Sequence, residues 1–258
     1  MKNMQTTVFQ CEDSIEGILT GVYDAYASKL GHENCRLSVG EENYELFCVY
    51  RKVIPSAEKC EKVIRTLRRE FGEENFHRFC YAMASYEKDK AEAVYKTIVV
   101  GLQEKLGYRV MAHLSNQYVM RLFALQRNVG FEFMHLRGFT RFRELENGVM
   151  LSIINPKNHV LPFLMPHFAD RFPLENFLIY DEVRNIAGIH YKNETEWFFI
   201  EPENFDREAA KRISSEEIYY QELFKAFHDA IEIESRKNPK LQMQMLPLRF
   251  RGNMTEFQ

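Results

Sequence analysis

The pattern of apolar and polar positions divides the chain into strand-like ends and a helical middle. Residues 6–11 predict a short strand, and from Ile15 to Leu30 the apolar residues follow the spacing of one helical face. The stretch 44–54 predicts a second strand that a proline ends. Residues 56–137 have helical periodicity almost throughout and are therefore expected to form a helical insertion.

Strand patterns return after residue 138. The stretch "FTRFREL" alternates in character, which would place Phe139, Arg141 and Arg143 on one face of a strand and Phe142 on the other. Two arginines beside an aromatic ring can contact a phosphate bidentately and offer a plane for stacking. The alternative is an exposed sheet face on which these arginines pair with nearby acids.

The remaining elements also have local signals. Asn147-Gly148 predicts the turn of a hairpin. A short helix follows, which we expect to bend or restart at Pro166, and then three strands in a meander. An amphipathic helix comes next, with Ser214 or Ser215 as its cap.

These elements predict an α+β fold. We expect a mixed or antiparallel sheet built from both chain ends, with helices on it, interrupted by the helical insertion at 56–137. Strands from 6–54 and 138–201 would share this sheet, so residues 1–258 are expected to form a single domain.

The segment Glu12-Asp13-Ser14 raises the question of a reaction centre near the start of the chain. Asp13 lies three residues before a glutamate, as in a capping box, and Ser14 is the neighbouring alternative cap. A helix cap therefore explains this segment better than catalysis does. Gly17 and Gly21 lie four residues apart on one face, where they would let the helix approach another element closely.

Charge is unevenly distributed along the chain, although the net charge is only −3. Residues 105–143 contain seven cationic side chains against one acid, Glu132, and residues 236–251 contain five against none. Segregated charge of this kind can form a local positive face on an acidic protein. The five cysteines form no C-x-x-C pair, and we find neither a signal peptide nor an apolar run long enough for a membrane span. We therefore expect a reduced, cytoplasmic protein.

Catalytic and cofactor motifs are absent from the sequence. The eight histidines form no metal-binding motif, no cysteine triplet could hold an iron–sulfur cluster, and no glycine-rich phosphate loop exists. We predict no metal site and no cofactor. The acid–base candidates are Asp13, His167 and Asp181. The phosphate-binding candidates are Arg141, Arg143, Arg171, Arg184 and Arg249, with Phe139 and Phe142 available to stack.

Four stretches resemble, in order, a bacterial family of domains of unknown function that is associated with DNA repair or DNA metabolism. They are "CEDSIEGILTGVYDAY", "FTRFRELENGVMLSIINPKNHVLPFLMPHFADRF", "LIYDEVR" and "LPLRFRGNMTEF". Members of that family are typically encoded beside a radical-SAM protein, or fused to a uracil-DNA-glycosylase-type domain. The resemblance implies a DNA-related context but supplies no mechanism, and Pro166 departs from the family pattern. The positions that match are Asp13, Ser14, Gly17, Arg141, Phe142, Arg143, His167, Arg171, Asp181, Arg184 and Arg249.

Two functional hypotheses follow from the sequence. The first is an accessory protein that binds nucleic acid or another phosphate-bearing ligand through an arginine and aromatic groove, and works with a radical-SAM partner. The second is an enzyme acting on a nucleic acid or nucleotide, in which Asp13, His167 and Asp181 transfer protons. A scaffold whose basic face docks on an acidic partner is a third possibility.

Overall fold

Two units make up the chain in the computed structural model, which describes residues 5–40, 44–203 and 205–257. The N-terminal unit is Met1–Gly130 and the C-terminal unit is Phe131–Gln258. In chain order the elements are β1 (Thr6–Cys11), α1 (Ile15–Ala27), β2 (Cys35–Val39), β3 (Cys48–Lys52), α2 (Ala57–Phe71), α3 (Glu73–Met83), α4 (Lys90–Gln103), α5 (Gln117–Phe139), β4 (Arg143–Glu144), β5 (Met150–Ile154), α6 (Leu161–Arg171), β6 (Phe177–Asp181), β7 (Ile186–His190), β8 (Trp197–Ile200), α7 (Ser215–Ala230), α8 (Pro239–Met245) and α9 (Leu248–Arg251).

The N-terminal unit contains a three-stranded parallel sheet in the order β2-β1-β3. In its register Phe9 of β1 lies opposite Leu37 of β2 and Arg51 of β3. The apolar pattern did not predict β2, because Arg36 and Ser38 interrupt the apolar character of this five-residue strand. Helices cover the sheet, and their buried side chains form one hydrophobic core with it. Its members include Leu19, Leu37, Leu67, Phe71, Phe79 and Tyr95.

Helix α1 begins at a serine cap. Ser14 has an extended backbone, and its hydroxyl oxygen accepts a hydrogen bond from the Gly17 amide at 2.9 Å. The preference for Asp13 as the cap was therefore wrong, and Ser14 takes that role. Asp13 instead forms an ion pair with the buried ammonium of Lys90, which also donates to the Ser85 carbonyl at 2.6 Å. This pair ties the end of β1 to the start of α4.

Gly21 confirms the expected close approach, because a Cβ at this position would collide with Cys11 Sγ of β1. We predict that Gly21→Ala lowers the free energy of unfolding by about 1–3 kcal/mol through overpacking. Gly130→Ala is the matched control, since no heavy atom lies within 4 Å of a Cβ there and alanine favours a helix. Urea unfolding followed by circular dichroism measures both. Equal midpoints for the two variants would contradict the close packing of α1 on β1.

The C-terminal unit contains a five-stranded mixed sheet in the order β4-β5-β6-β7-β8. Only β5 and β6 pair in parallel, joined by α6, and the other neighbours are antiparallel. The hairpin between β4 and β5 turns at Gly148 with φ +76°, and α7 is capped by Ser214, both as predicted. Helix α6 continues through Pro166 and does not restart there.

The structure confirms the α+β fold class and corrects the expected sheet. In the described part of the chain, strands from the two ends lie in different sheets, because each strand pairs with strands of its own unit. Residues 56–137 are largely helical but are not inserted into one sheet, and the single domain over 1–258 stays a prediction. The cysteines of the described residues are free thiols. Among those residues, no helix combines the length and apolar character needed to cross a bilayer.

The segment 139–142 is not a strand, so the predicted alternation along it was wrong. Phe139 is the last residue of α5, and the Thr140 amide donates to the Leu136 carbonyl at 2.9 Å, as in a helix end. The Thr140 hydroxyl donates to the same carbonyl at 2.6 Å, a bond to the preceding turn that threonine makes in helical backbone. Strand β4 consists only of Arg143 and Glu144.

Candidate anion-binding site

A cavity of about 170 Å³ lies in the C-terminal unit beside β4 and β5. Three cationic side chains, three neutral polar side chains and four apolar side chains line it. They are Arg141, Phe142, Arg143, Leu151, Ile153, Lys211, Ile213, Gln221, Asn253 and Thr255. The cavity therefore gathers residues that are distant in sequence around a shared positive charge.

Arg143 is the distinctive cation of this cavity. Its side chain is half-buried, and it makes no hydrogen bond or ion pair with the residues that the structure describes. Burial lowers the pKa of Arg143, and the carboxylate of Glu217 opposes this shift. Glu217 accepts hydrogen bonds from the Glu144 amide and from Gln221, so both of its carboxylate oxygens already bind uncharged donors. A partly desolvated guanidinium without a direct partner is the feature expected of an anion site.

Arg141 also lines the cavity, but its guanidinium is fixed by the protein. Its Nη2 lies 2.7 Å from Oε1 of Glu256, whose side chain is largely buried, and its Nη1 donates to the Gly138 carbonyl at 3.0 Å. These bonds join the end of α5 to the C-terminal segment. Arg141 therefore contributes positive potential to the cavity while it remains paired.

Lys211 is held less tightly. Its ammonium lies 2.7 Å from Glu208 Oε1, and both side chains are mostly exposed. Exposed ion pairs of this kind contribute little to stability because water and salt screen them. Lys211 can therefore turn from Glu208 towards a ligand at low cost.

A second, smaller hollow of about 20 Å³ adjoins this region and also includes Arg141. Phe139, Arg249 and Phe250 line it as well. The two cation-rich segments of the sequence, 105–143 and 236–251, thus come together at Arg141 and Arg249. Neither Arg171 nor Arg184 lines either cavity.

Arg249 forms an ion pair with a buried carboxylate. Its Nη1 lies 2.8 Å from Oε1 of Glu132, whose side chain is almost fully buried in α5. Glu132 also accepts from the Lys157 amide at 3.1 Å, and from the Asn158 amide and side-chain amide at 2.7 Å each. One carboxylate therefore connects α5, α9 and the loop 155–158.

Asp181 and Arg184 hold the same loop from the other side. Asp181 is fully buried and accepts hydrogen bonds from the Val183 and Arg184 amides, which close the turn after β6. The Arg184 guanidinium donates to Asp181 and to the carbonyls of Pro156 and Lys157. Burial raises the pKa of Asp181, while Arg184 opposes this shift. Both side chains are fully engaged in holding the loop.

The two candidate stacking rings are occupied by contacts within the protein. Phe142 packs edge-to-face against Phe168, Phe172 and Phe177, with ring centroids 5.1–5.6 Å apart. Phe139 stacks on His135 at 5.6 Å and also contacts Phe250. These rings support the walls of the two cavities.

His167 and Arg171 lie one helical turn apart on α6. Burial lowers the pKa of His167, and the positive charges of Arg137 and Arg171 lower it further. The Arg171 guanidinium lies 5.7 Å from the centre of the Phe172 ring. His167 therefore belongs to a second positive region, on α5 and α6.

The three acid–base candidates differ in their surroundings. Asp13 belongs to the N-terminal unit, where it pairs with Lys90, whereas His167 and Asp181 belong to the C-terminal unit. Asp181 is committed to Arg184 and to its turn. The described residues contain no group of three or more side chains that could hold a metal ion.

Several residues of this region were not predicted from the sequence. Lys211 and Thr255 have no local motif, since they reach the cavity only through the fold. Glu132 did have a signal, because it is the one acid among the cations of 105–143 and lies between two phenylalanines. A lone acid in an apolar helical stretch indicates a buried ion pair.

Comparisons with known proteins place the chain in a family without an assigned activity. A family model described as "Domain of unknown function (DUF4130)" matches residues 88–256. Because this match spans more than half of the chain, the protein belongs to the DUF4130 family. The resemblance to a family of domains of unknown function is therefore confirmed.

Two further comparisons add no functional information. A search of curated proteins found no match. A solved structure, described as the DHH domain of a member of a ribosomal protein family, is 9% identical, with a TM-score of 0.40 over 74% of each chain. A similarity of this strength supports no conclusion about fold or function.

Proposed function

We propose that the protein is an accessory protein of DNA metabolism, whose C-terminal unit binds nucleic acid phosphate through the cavity beside β4 and β5. One observation supports the proposal above others. Arg143 lines this cavity, and its half-buried side chain makes no ion pair or hydrogen bond with the described residues. Lys211 can turn from Glu208 to contact the same ligand, and Arg141 adds positive electrostatic potential while it stays paired with Glu256.

The charge balance around the cavity explains why Arg143 is central. Arg141 has Glu256 as a direct partner and Lys211 has Glu208, so each positive charge is partly compensated. Glu217 interacts with Arg143 only through the longer-range attraction of their charges, without a hydrogen bond. A phosphate oxygen would give Arg143 the charged acceptor that the described residues do not supply, and Arg–phosphate bonds are among the stronger hydrogen bonds in proteins.

Binding to a fluorescent single-stranded DNA that carries a 5′-phosphate tests this proposal. Fluorescence anisotropy at several salt concentrations should show affinity falling linearly on logarithmic axes, because bound cations release counterions from the strand. Arg143→Gln should weaken binding about 10-fold or more, which corresponds to the loss of one charge-assisted hydrogen bond. It should also reduce the salt slope by about 1.

Arg65→Gln is the control for a general loss of charge. This arginine lies on α2 in the N-terminal unit, and its side chain is 67% exposed. It should leave both affinity and salt slope close to those of the wild type. Absence of binding, binding insensitive to salt, or equal losses in the two variants would overturn the proposal.

We further infer a protein partner, a radical-SAM enzyme that acts on DNA. The support is the resemblance of the four sequence stretches to a family whose members are encoded beside such an enzyme. Co-purification of the two proteins with and without nuclease tests it. Association that survives nuclease supports direct contact, and association lost with nuclease shows that DNA alone links them.

A further inference from the structure

The dimensions of the cavity restrict what it can hold. Its volume of about 170 Å³ lies below the roughly 300–1,000 Å³ typical of clefts that enclose a whole organic ligand. A phosphate group fits in this space, whereas the space is too small to enclose a complete nucleoside. The strand would therefore lie outside the cavity and insert only a phosphate.

The charges indicate which kind of phosphate suits the cavity. Arg143 and Lys211 are the two cations that can turn fully to a ligand, because Arg141 stays bound to Glu256. A phosphodiester inside a strand has one negative charge. A phosphomonoester at a strand end carries about −1.5 to −2 charges at neutral pH and presents three strong acceptor oxygens. The terminal group matches the two available cations better.

Neutral donors complete the cavity wall. Thr255, Gln221 and Asn253 line it, and they carry one hydroxyl and two side-chain amides. Gln221 Nε2 donates to Glu217 at 2.6 Å and Asn253 Nδ2 donates to Asn155 at 2.9 Å, so these amides are already oriented. A terminal phosphate has one acceptor oxygen for each of Arg143, Lys211 and Thr255, whereas a diester has only two free oxygens.

We propose that this cavity recognises the terminal phosphomonoester of a nucleic acid strand rather than its internal phosphodiesters. This inference rests on the proposed function and specifies its ligand. It implies that the protein binds strand ends, such as those left by incision, and that end chemistry determines its affinity. Arg143 is the principal contact, Lys211 the second cation, and Thr255 a neutral donor.

The test compares matched single strands of one sequence, labelled internally, with a 5′-phosphate, a 3′-phosphate or only hydroxyl ends. Wild-type protein should bind at least one phosphorylated strand about 10-fold more tightly than the hydroxyl strand, the effect of one additional charge-assisted contact. Arg143→Gln should abolish this difference, and Lys211→Gln should reduce it. Lys225→Gln, an exposed position on α7 outside the cavity wall, should preserve it.

Glu217→Gln is expected to change affinity for the phosphorylated strand in the opposite direction to Arg143→Gln. The carboxylate of Glu217 acts on Arg143 electrostatically and would repel a phosphate, whereas glutamine retains an oxygen that accepts from the Glu144 amide. This substitution should therefore increase affinity for the phosphorylated strand. Circular dichroism and the fluorescence of Trp197 establish that each variant is folded.

The outcomes separate this inference from the proposed function. Equal affinity for phosphorylated and hydroxyl strands, both lost in Arg143→Gln, would overturn terminal recognition and leave nucleic acid binding intact. Absence of binding to every strand would overturn both. Competition by thymidine monophosphate as effective as that of the phosphorylated strand would assign the site to free phosphomonoesters and overturn the recognition of strand ends.

Discussion

Replacing Glu132 with alanine is expected to lower the free energy of unfolding of the C-terminal unit by at least about 1–3 kcal/mol, the cost of depriving buried donors of their acceptor. The side chain is only 1% exposed and accepts bonds from Arg249 and from the loop 155–158. Alanine would remove the carboxylate that accepts hydrogen bonds from the Lys157 and Asn158 amides. It would also leave the Arg249 guanidinium without its carboxylate.

Urea unfolding monitored by tryptophan fluorescence measures this effect. Trp197 is the sole tryptophan and lies in β8, so its signal reports on the C-terminal unit. Glu222→Ala is the matched control, because this glutamate is exposed on α7 and its loss should change stability by less than about 0.5 kcal/mol. A loss below about 1 kcal/mol in Glu132→Ala would show that the network does not hold the loop.

Replacing Arg184 with methionine should destabilise the same unit by about 3–5 kcal/mol at neutral pH, and much less in acid. Asp181 is buried at 1% side-chain exposure and would lose its charged partner. Burial already raises the pKa of this carboxyl group, and loss of the opposing Arg184 charge would raise it further. The variant would then favour a protonated, neutral Asp181.

The sign of the pH dependence follows from this shift. A carboxyl group with a raised pKa in the folded state stabilises the protein fully below its unfolded pKa of about 3.9, and that contribution is lost as pH rises through the folded pKa. The loss of unfolding free energy in Arg184→Met, relative to the wild type, should therefore be smallest near pH 4 and should grow towards pH 7.

Two further variants test the interpretation. Adding Asp181→Asn to Arg184→Met should remove the pH dependence, because asparagine does not titrate. Arg207→Met, which breaks an exposed pair with Glu182, should have a small effect at every pH. A deficit in Arg184→Met that stays constant between pH 4 and 7 would mean that Asp181 does not titrate in this range.

These networks change the interpretation of the matched family positions. Arg184, Asp181 and Arg249 all stabilise the loop 155–158 or its neighbours. A role in the folding of the C-terminal unit accounts for these three residues without a role in binding or catalysis. Arg143 is different, because no comparable structural contact within the described residues explains its charge.

The sequence predicted some of the residues that line the candidate site, but not the secondary structure that brings them together. Arg141, Phe142 and Arg143 do line one cavity, yet the strand alternation that suggested their grouping is absent. Helix α5 runs to Phe139, so the three residues converge through a helix end and a two-residue strand. Periodicity could not distinguish these arrangements over so short a segment.

By itself, the sequence determined the α+β class, most helices and strands, the Asn147-Gly148 turn and the Ser214 cap. Such features depend on residues a few positions apart, whose side chains interact through local backbone geometry. Only the tertiary structure decided that the strands form two sheets, that Glu132, Glu256 and Asp181 neutralise particular arginines, and that Arg143 lacks such a partner among the described residues. The physical reason is that charge pairing and burial depend on distances in space. Arg141–Glu256 and Arg249–Glu132 join side chains more than a hundred residues apart in the chain, and the local pair Arg184–Asp181 depends on a burial that only the fold produces.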